Sequence, residues 1–587
     1  MNPAEILSQF DVEAPCRDGV VLRCNVTRPA GEGRHPVILV RTPYGKDGSR
    51  SDPLLDAVGL AREGFVVVLQ DVRQRGRSGG DGDFVPFVHE ADDGADTVEW
   101  AAALPFSNGH VFTVGPSYLG FTQWALATRN PESLRAIAPS QSPSSPWRST
   151  FYRGGVFELG AMVPLFMSFG LDMLMRRHAK NLSALQTSLG GLVAHLDGLT
   201  NGAFENLPVS EFAGLTGDDV GRALLDMLAA RGERTPMVRA LVEAQSYESV
   251  KVPALITGSW YDFFCQAAID QFVGIRKHGG SERARQRSRL VMGPWTHASQ
   301  SAIHGEVHFG LRGAPSMFGQ GGLRAETLRF FREQLEDDPK PTAPVKIFVM
   351  GANVWRDEWE WPIARTRFVP WYFGSEGRAN GRHGDGSLGP EQHPSPSDRF
   401  VYDPASPVPT WGGSNVGASE LPGPRDQRLV EDRTDVLVYT SAPLAEPLEV
   451  TGTAVVELWA SSSALDTDFV ARLVDVAPDG TALAVAEGIL RGRYRDNPEQ
   501  LDVEVPLEPG VPTLFRIELT PTSNLFRAGH RLRVDVTSSC FPRWERNLNV
   551  WDARNATLAD AQIASQQIFH DEAHPSRIIL PVVPPRS

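Results

Sequence analysis

A serine, an aspartate and a histidine, met in that order and each just past an apolar run, are the residues of this 587-residue chain best placed to do chemistry. Ser117 stands in Gly115-Pro-Ser117-Tyr118-Leu119-Gly120, Asp262 in Gly258-Ser-Trp-Tyr-Asp262 and His297 in Gly293-Pro-Trp-Thr-His297. The chemistry they fit is nucleophilic acyl transfer. Serine attacks, histidine takes the proton and returns it to the leaving group, and aspartate fixes the imidazole tautomer and stabilises the imidazolium. Each alone has a plainer reading, since an aspartate after a strand usually caps a helix and a single histidine is usually a satisfied surface or core residue. The agreement of order with strand-end placement carries the assignment.

Such a serine needs an element to lift it. Residues 111–114 are apolar and β-branched, a buried strand, and residues 118–127 hold good helix formers with no breaker. A strand turning abruptly into a helix raises the hydroxyl at the strand's carboxyl end and aims free helix N–H groups at a developing oxyanion. This is the nucleophile elbow of an α/β-hydrolase, with one departure. The usual G-x-S-x-G puts glycine where Leu119 stands, and here glycine comes one place later, at 120. Two rival serines are separated only by context. Gly76-Arg-Ser78-Gly-Gly80 fits the pattern but lies in a polar loop with no helix directly behind it, and Ser414 sits in a Pro/Gly-rich connection.

The elements around these residues read as α/β, then helical, then all-β. Continuous apolar runs at 36–40, 65–69, 111–114 and 134–138, with a helix around 95–103, give βαβα order and a mostly parallel sheet covered on both faces. From 146 to 250 the strand signal vanishes. Apolar residues there recur at three- and four-residue spacing, near Phe166, Leu189 and Ala223, and the Met/Phe content reads as helix core rather than a cofactor box. Strands resume at 253–258 and 289–293, and an amphipathic helix follows with Leu328, Phe331 and Leu335 on one face. Past about 366, alternating strands (436–440, 453–459, 468–474, 531–536) separated by turns indicate an antiparallel jelly-roll sandwich, with a surface loop at 377–396. The expected division is a catalytic α/β domain of residues 1–145 and 251–365, a helical cap of 146–250 and a jelly roll of 366–587.

Composition excludes several classes. With 41% apolar and 22% charged residues the chain is ordinary globular protein, long enough for about three or four domains. A net charge of −14 disfavours nucleic acid and anionic membrane as partners. No run approaches the 18 or so apolar residues of a membrane span, and the N-terminus lacks signal-peptide character. Four scattered cysteines without ligand spacing read as buried thiols, which points to the cytoplasm. His304 and His308 flank a glycine-containing loop with no third ligand, so neither a metal nor another cofactor is expected.

An oxyanion hole needs a donor besides the Tyr118 N–H. The loop after the first apolar run, Arg41-Thr-Pro-Tyr44-Gly45, offers the neutral phenol of Tyr44, though a packed loop tyrosine fits those residues equally well. The motifs at 41–45, 115–120, 258–262 and 293–297 resemble the cocaine esterase / X-Pro dipeptidyl-peptidase family of serine hydrolases. So do Asp71-Val-Arg-Gln-Arg-Gly-Arg-Ser-Gly79, the stretch 403–413, Asp466-Thr-Asp-Phe469 and Phe541-Pro-Arg-Trp-Glu-Arg-Asn547. The likeness spans essentially the whole chain. It implies an α/β-hydrolase core, a helical cap and a C-terminal jelly roll, with Ser117, Asp262, His297 and Tyr44 as catalytic residues. It implies too that G-x-S-Y-x-G is the family's own elbow.

Tyr118, Phe264 and Trp260 are then read as substrate-facing. Because Phe263-Phe264-Cys265 follow Asp262 with no acid among them, Phe264 should line an apolar acyl pocket of a small-molecule ester. Relatives that cleave α-amino esters or X-Pro peptides need a carboxylate for the substrate ammonium. Glu158 is a candidate, although a solvated helix glutamate is the plainer reading. The expected activity is an esterase, with the X-Pro peptidase or amino-ester hydrolase as alternative and a non-catalytic binding protein as the distant one. The reading leaves room for a homodimer.

Overall fold

The computed structural model describes residues 5–48, 55–211, 235–297, 299–319, 321–337, 340–417 and 420–585. Ten strands make the main sheet: β1 (Ile6–Pro15), β2 (Val21–Pro29), β3 (His35–Thr42), β4 (Val66–Asp71), β5 (Ser107–Pro116), β6 (Leu134–Ser140), β7 (Leu255–Tyr261), β8 (Arg289–Thr296), β9 (Val345–Val349) and β10 (Val354–Glu358). Their order is 1-2-4-3-5-6-7-8-9-10. Strands β4, β3, β5, β6, β7, β8 and β9 run parallel, and the β1–β2, β2–β4 and β9–β10 pairs are antiparallel. The helices described before residue 340 are α1 (Ala57–Arg62), α2 (Glu90–Ala102), α3 (Tyr118–Ala127), α4 (Leu159–Arg177), α5 (Leu182–Gly198), α6 (Pro236–Glu243), α7 (Cys265–His278), α8 (Glu282–Arg287) and α9 (Gly322–Glu333).

The continuous apolar runs follow from burial on both faces. Successive side chains of a strand point to opposite sides, so Val37 and Leu39 join one core cluster and Ile38 and Val40 the other. Each fully buried valine or leucine contributes roughly 1.5–3 kcal/mol. Parallel strands all end at one edge, and that edge carries the loops after β3, β5, β7 and β8. Those four loops hold Tyr44, Ser117, Asp262 and His297.

Between β6 and β7 lie a π-turn (Pro146–Thr150), a two-residue hairpin (Tyr152–Arg153 with Val156–Phe157) and α4, α5 and α6. The helix expected near Ala223 falls outside the described residues. Helix α4 corrects one expectation. It has 19 residues with mean hydropathy 1.3, long and apolar enough by length and composition to cross a membrane, yet 61% of that window is buried inside the protein. Phe166, Met167 and Phe169 on its buried side share the cluster that holds Phe121 and Phe263. In α9, Leu328 and Phe331 are buried, but Leu335 lies past the helix end and is exposed.

The described residues of the C-terminal domain form an all-β fold of 13 mostly antiparallel strands, with one short helix at Arg428–Glu431. Part of the expected loop 377–396 contributes a strand, Ser387–Gly389, which pairs parallel to Leu437–Ser441. Strand Asp468–Val476 departs from the half-solvated pattern that its alternation suggests, because both of its faces are buried. Its polar residues Asp468 and Arg472 pair with Arg491 and Glu487 instead of with water. A buried charge needs such a partner.

Candidate active site

Strand β5 ends and α3 begins at Ser117, whose backbone sits at φ 56°, ψ −124°. A non-glycine residue with positive φ is held there only by its surroundings. Here the Ser117 N–H donates to the Ser140 carbonyl (2.9 Å), and its carbonyl accepts from Gly120 (2.8 Å) and Phe121 (3.1 Å). The displaced glycine has a steric cause. A Cβ at position 120 would come 2.7 Å from Ser142 Cβ and 3.3 Å from the Ser140 carbonyl oxygen, where α3 crosses the end of β6. Leu119 is buried against Gly115, where a Cβ would approach the leucine Cβ to 2.6 Å. Glycine is required where two backbones meet, and that meeting falls at 120.

Ser117 Oγ lies 3.1 Å from His297 Nε2, and His297 Nδ1 lies 3.0 Å from Asp262 Oδ1. Asp262 is fully buried, and its Oδ1 also accepts the Phe264 N–H at 3.0 Å. A hydroxyl, imidazole and carboxylate in such a row can move a proton off Oγ and hold the resulting imidazolium. Gln141, also at positive φ (46°), ties together the strand ends that present this row. Its N–H donates to Thr257 O (2.7 Å), and its Nε2 donates to Ser259 Oγ (2.9 Å) and to the carbonyl of Thr296, next to His297 (2.7 Å).

On the other side of Ser117 two donors converge. The Tyr118 N–H opens α3, where first-turn amides have no helical acceptor. Tyr118's own side chain points away from Ser117. Its phenol donates to Glu90 (3.0 Å), accepts from the Phe87 N–H (2.6 Å) and is held far above its usual pKa by burial and by the Glu90 charge. Tyr118 therefore offers Ser117 a backbone amide only. The Tyr44 phenol faces Ser117, whose hydroxyl draws the phenol's pKa down. The residue is 45% exposed, but burial of the hydroxyl raises its pKa to about 12, against the downward pull of Ser117 and of the Arg75 charge. Phe169 of α4 stacks on the Tyr44 ring at 5.9 Å, a contact not foreseen from the sequence because Phe169 reads there only as helix core.

Beside His297 stand two rings, Phe263 at 4.8 Å and Phe264 at 5.3 Å between centroids, both edge-to-face. Trp260 does not join them, which corrects its reading as a substrate contact. The indole is wholly buried, donates to the Phe348 carbonyl (2.8 Å) and leans on Trp361. Glu158 is corrected as well, because it is 1% exposed rather than solvated. It pairs with Arg153 (3.0 Å) and faces Arg543 of the C-terminal domain (3.7 Å). Arg153 in turn donates to the Phe263 carbonyl at 2.7 Å.

The rival serines are otherwise engaged. Ser78 Oγ donates to the Asp71 carbonyl and accepts from the Arg23 N–H, and Ser414 is buried beside Glu487. A second Ser–His–Asp set, Ser395–His570–Asp398, occurs in the C-terminal domain at 2.8 Å per step. Among the described residues no group of three or more His, Cys, Asp or Glu side chains is arranged to hold a metal ion.

Residues 18–299 match the X-Pro dipeptidyl-peptidase (S15) family, and residues 338–579 match the X-Pro dipeptidyl-peptidase C-terminal non-catalytic domain. The cocaine esterase of Rhodococcus sp. (strain MB1 Bresler) is 35% identical over 591 residues, covering 98% of both chains. Among solved structures, an α-amino acid ester hydrolase superposes with TM-score 0.78 at 26% identity, covering 99% of this chain and 97% of its own. An aminopeptidase from a marine sediment archaeon, Thaumarchaeota archaeon, gives TM-score 0.79 at 24% identity, with the same coverage, and so shares the fold. An α/β-hydrolase core carrying a C-terminal all-β domain, together with a full-length esterase relative, settles the class: the chain is a serine hydrolase of the X-Pro dipeptidyl-peptidase (S15) family that includes cocaine esterase.

Proposed function

We propose that the protein hydrolyses carboxylic esters with an apolar or aromatic acyl group through a Ser117 acyl-enzyme. The observation that carries this reading is the unbroken row Ser117–His297–Asp262 at a strained strand-to-helix turn, with Phe263 and Phe264 against the imidazole. As Ser117 Oγ attacks the acyl carbon, its proton passes to His297 Nε2 while Asp262 holds Nδ1–H. The carbonyl oxygen takes up negative charge between the Tyr118 N–H and the Tyr44 phenol. Collapse expels the alcohol, which leaves with the proton from Nε2. Water then attacks the acyl-enzyme, gives its proton to His297 and releases the acid as Ser117 regains its hydrogen. The partner is a small-molecule ester, and no cofactor enters.

The rival reading, cleavage of α-amino esters or X-Pro amides, needs a fixed carboxylate for the substrate ammonium. Glu158 is poorly suited to that role, because its carboxylate already lies between Arg153 and Arg543. Desolvating an unpaired ammonium costs several kcal/mol, enough to cut kcat/KM by roughly 10³-fold. A panel of a benzoyl ester, a short alkyl ester, an α-amino ester and an X-Pro anilide decides the matter. Neutral esters are expected to lead by about that factor. An X-Pro anilide cleaved as fast as the benzoyl ester would overturn the assignment.

A further inference from the structure

Tyr44 presents a difficulty for the role just given to it. A phenol that must meet a transient oxyanion has to be held still before the charge appears, yet this ring is 45% exposed and lies in a loop. Ordinary packing does not enclose it. The constraint comes from Arg75, a guanidinium only 3% exposed that sits behind the loop.

Arg75 Nε donates to the Pro43 carbonyl at 2.7 Å. The amide on the other end of that peptide, the Tyr44 N–H, donates to Thr42 Oγ1 at 3.1 Å. The plane of the 43–44 peptide is therefore held at both its oxygen and its hydrogen, which sets the direction in which the Tyr44 side chain leaves the backbone. The same guanidinium reaches into α4. Its Nη1 donates to the Phe169 carbonyl at 2.8 Å and lies 3.6 Å from Asp172 Oδ2. Phe169 is the residue whose ring stacks on Tyr44, and Arg75 also lies over that ring (5.4 Å) and over Phe84 (5.0 Å). One planar fork thus fixes the peptide that launches Tyr44 and the ring on which Tyr44 leans. A lysine, with a single point charge, cannot make both bonds in these directions.

We propose that Arg75 is a positioning residue for the reaction: it clamps Tyr44 against Ser117 and couples the oxyanion donor to helix α4. This rests on the function proposed above. Neighbouring contacts reinforce the coupling, since Asp172 accepts the Gly76 N–H (3.2 Å) and Arg176 donates to the carbonyls of Gly76 (2.9 Å) and Ser78 (3.0 Å). The positive charge also draws the Tyr44 phenol toward a lower pKa against the effect of burial, which makes it a stronger donor.

The test is a double-mutant cycle on a benzoyl ester, with competent sites counted by fluorophosphonate titration of Ser117. Tyr44→Phe is expected to lower kcat by on the order of 10²-fold, and Arg75→Met by about 10- to 30-fold with KM within about 3-fold of wild type. The double variant should fall within about 2-fold of Tyr44→Phe alone, because the clamp has nothing left to hold. If the two factors multiply, or if Arg75→Met keeps kcat within about 2-fold of wild type, the proposal is overturned while the esterase reading stands. A Tyr44→Phe enzyme with wild-type kcat would instead remove the oxyanion role itself, and the clamp with it. Should Arg75→Met fail to fold, Arg75→Lys keeps the charge and loses the fork. It is expected to show intermediate kcat and the same non-additivity with Tyr44→Phe, and additivity would again overturn the proposal.

Discussion

In two places in this molecule a serine hydroxyl meets a histidine that meets an aspartate, with heavy-atom distances of 2.8–3.1 Å. The surroundings differ at every step. Ser117 sits at positive φ on a sharp turn, and Ser395 simply begins the strand Ser395–Tyr402. Beside Ser117 are a helix amide and a phenol, whereas Ser395 Oγ accepts the Ser375 N–H (3.2 Å). Asp262 takes His297 and one amide. Asp398 takes His570, Ser375, Tyr439 and the Ala379 N–H, and it crosslinks four segments of the sandwich. On the function proposed above, the same three residue types act catalytically in one place and crosslink the sandwich in the other. Backbone strain at the serine and the donors grouped around it separate the two.

The sharpest way to break that contrast is to delete each serine. Ser117→Ala should abolish ester hydrolysis, by about 10⁴-fold or more, together with fluorophosphonate labelling. Ser395→Ala should leave kcat within about 2-fold and lower unfolding free energy by about 1 kcal/mol in a denaturant titration. Labelling of Ser395, or survival of activity without Ser117, would reverse the assignment.

Next in size is the environment of Asp262. Phe264→Glu places a carboxylate beside His297, so it should cost the benzoyl ester and help an α-amino ester. The roughly 10³-fold preference should narrow from both sides in kcat/KM. A preference unchanged by this variant would mean that Phe264 does not face the acyl group.

Asp398 supplies the smallest effect and the opposite readout. Burial works to raise its pKa, but the donors from His570, Ala379 and Ser375 overcome that and hold it below 3.8. A carboxylate lowered on folding stabilises the protein above its unfolded pKa and loses that contribution as pH falls through the folded value. Unfolding free energy measured from pH 5 downward should therefore decline less steeply in Asp398→Asn than in wild type below about pH 4, while kcat per folded molecule at neutral pH stays unchanged. An identical acid limb in both proteins would remove Asp398 from this account.

Much of the candidate site was legible because each member follows an apolar run, and the ends of parallel strands share one edge. Ser117, Asp262 and His297 could be found that way. Trp260 could not be placed, because β7 is buried on both faces and its alternation carries no inside or outside. Glu158 reads as solvated because the segment that covers it, around Arg543, lies hundreds of residues away in sequence, and its near neighbour Arg153 carries no sign of burial. Leu119 looked anomalous until the crossing of α3 over β6 showed where glycine is needed. Arg75 was visible only as part of an Arg/Gly-rich motif, and nothing in that spacing tells which carbonyls it will grip. Local periodicity reveals strands and their ends, whereas long-range polar pairing has no period to read.

Arg153, Glu158, Arg543, Glu487 and Arg472 form a buried succession of alternating charge from the hairpin before α4 into the C-terminal sandwich. Its consequence concerns how the protein comes apart. Pulling the sandwich away would leave Glu158 with one arginine and open the buried Arg543–Glu487 pair to water. The part holding Ser117 and the sandwich are thus expected to unfold together, a coupling that coincident denaturant transitions read by probes in each part would check.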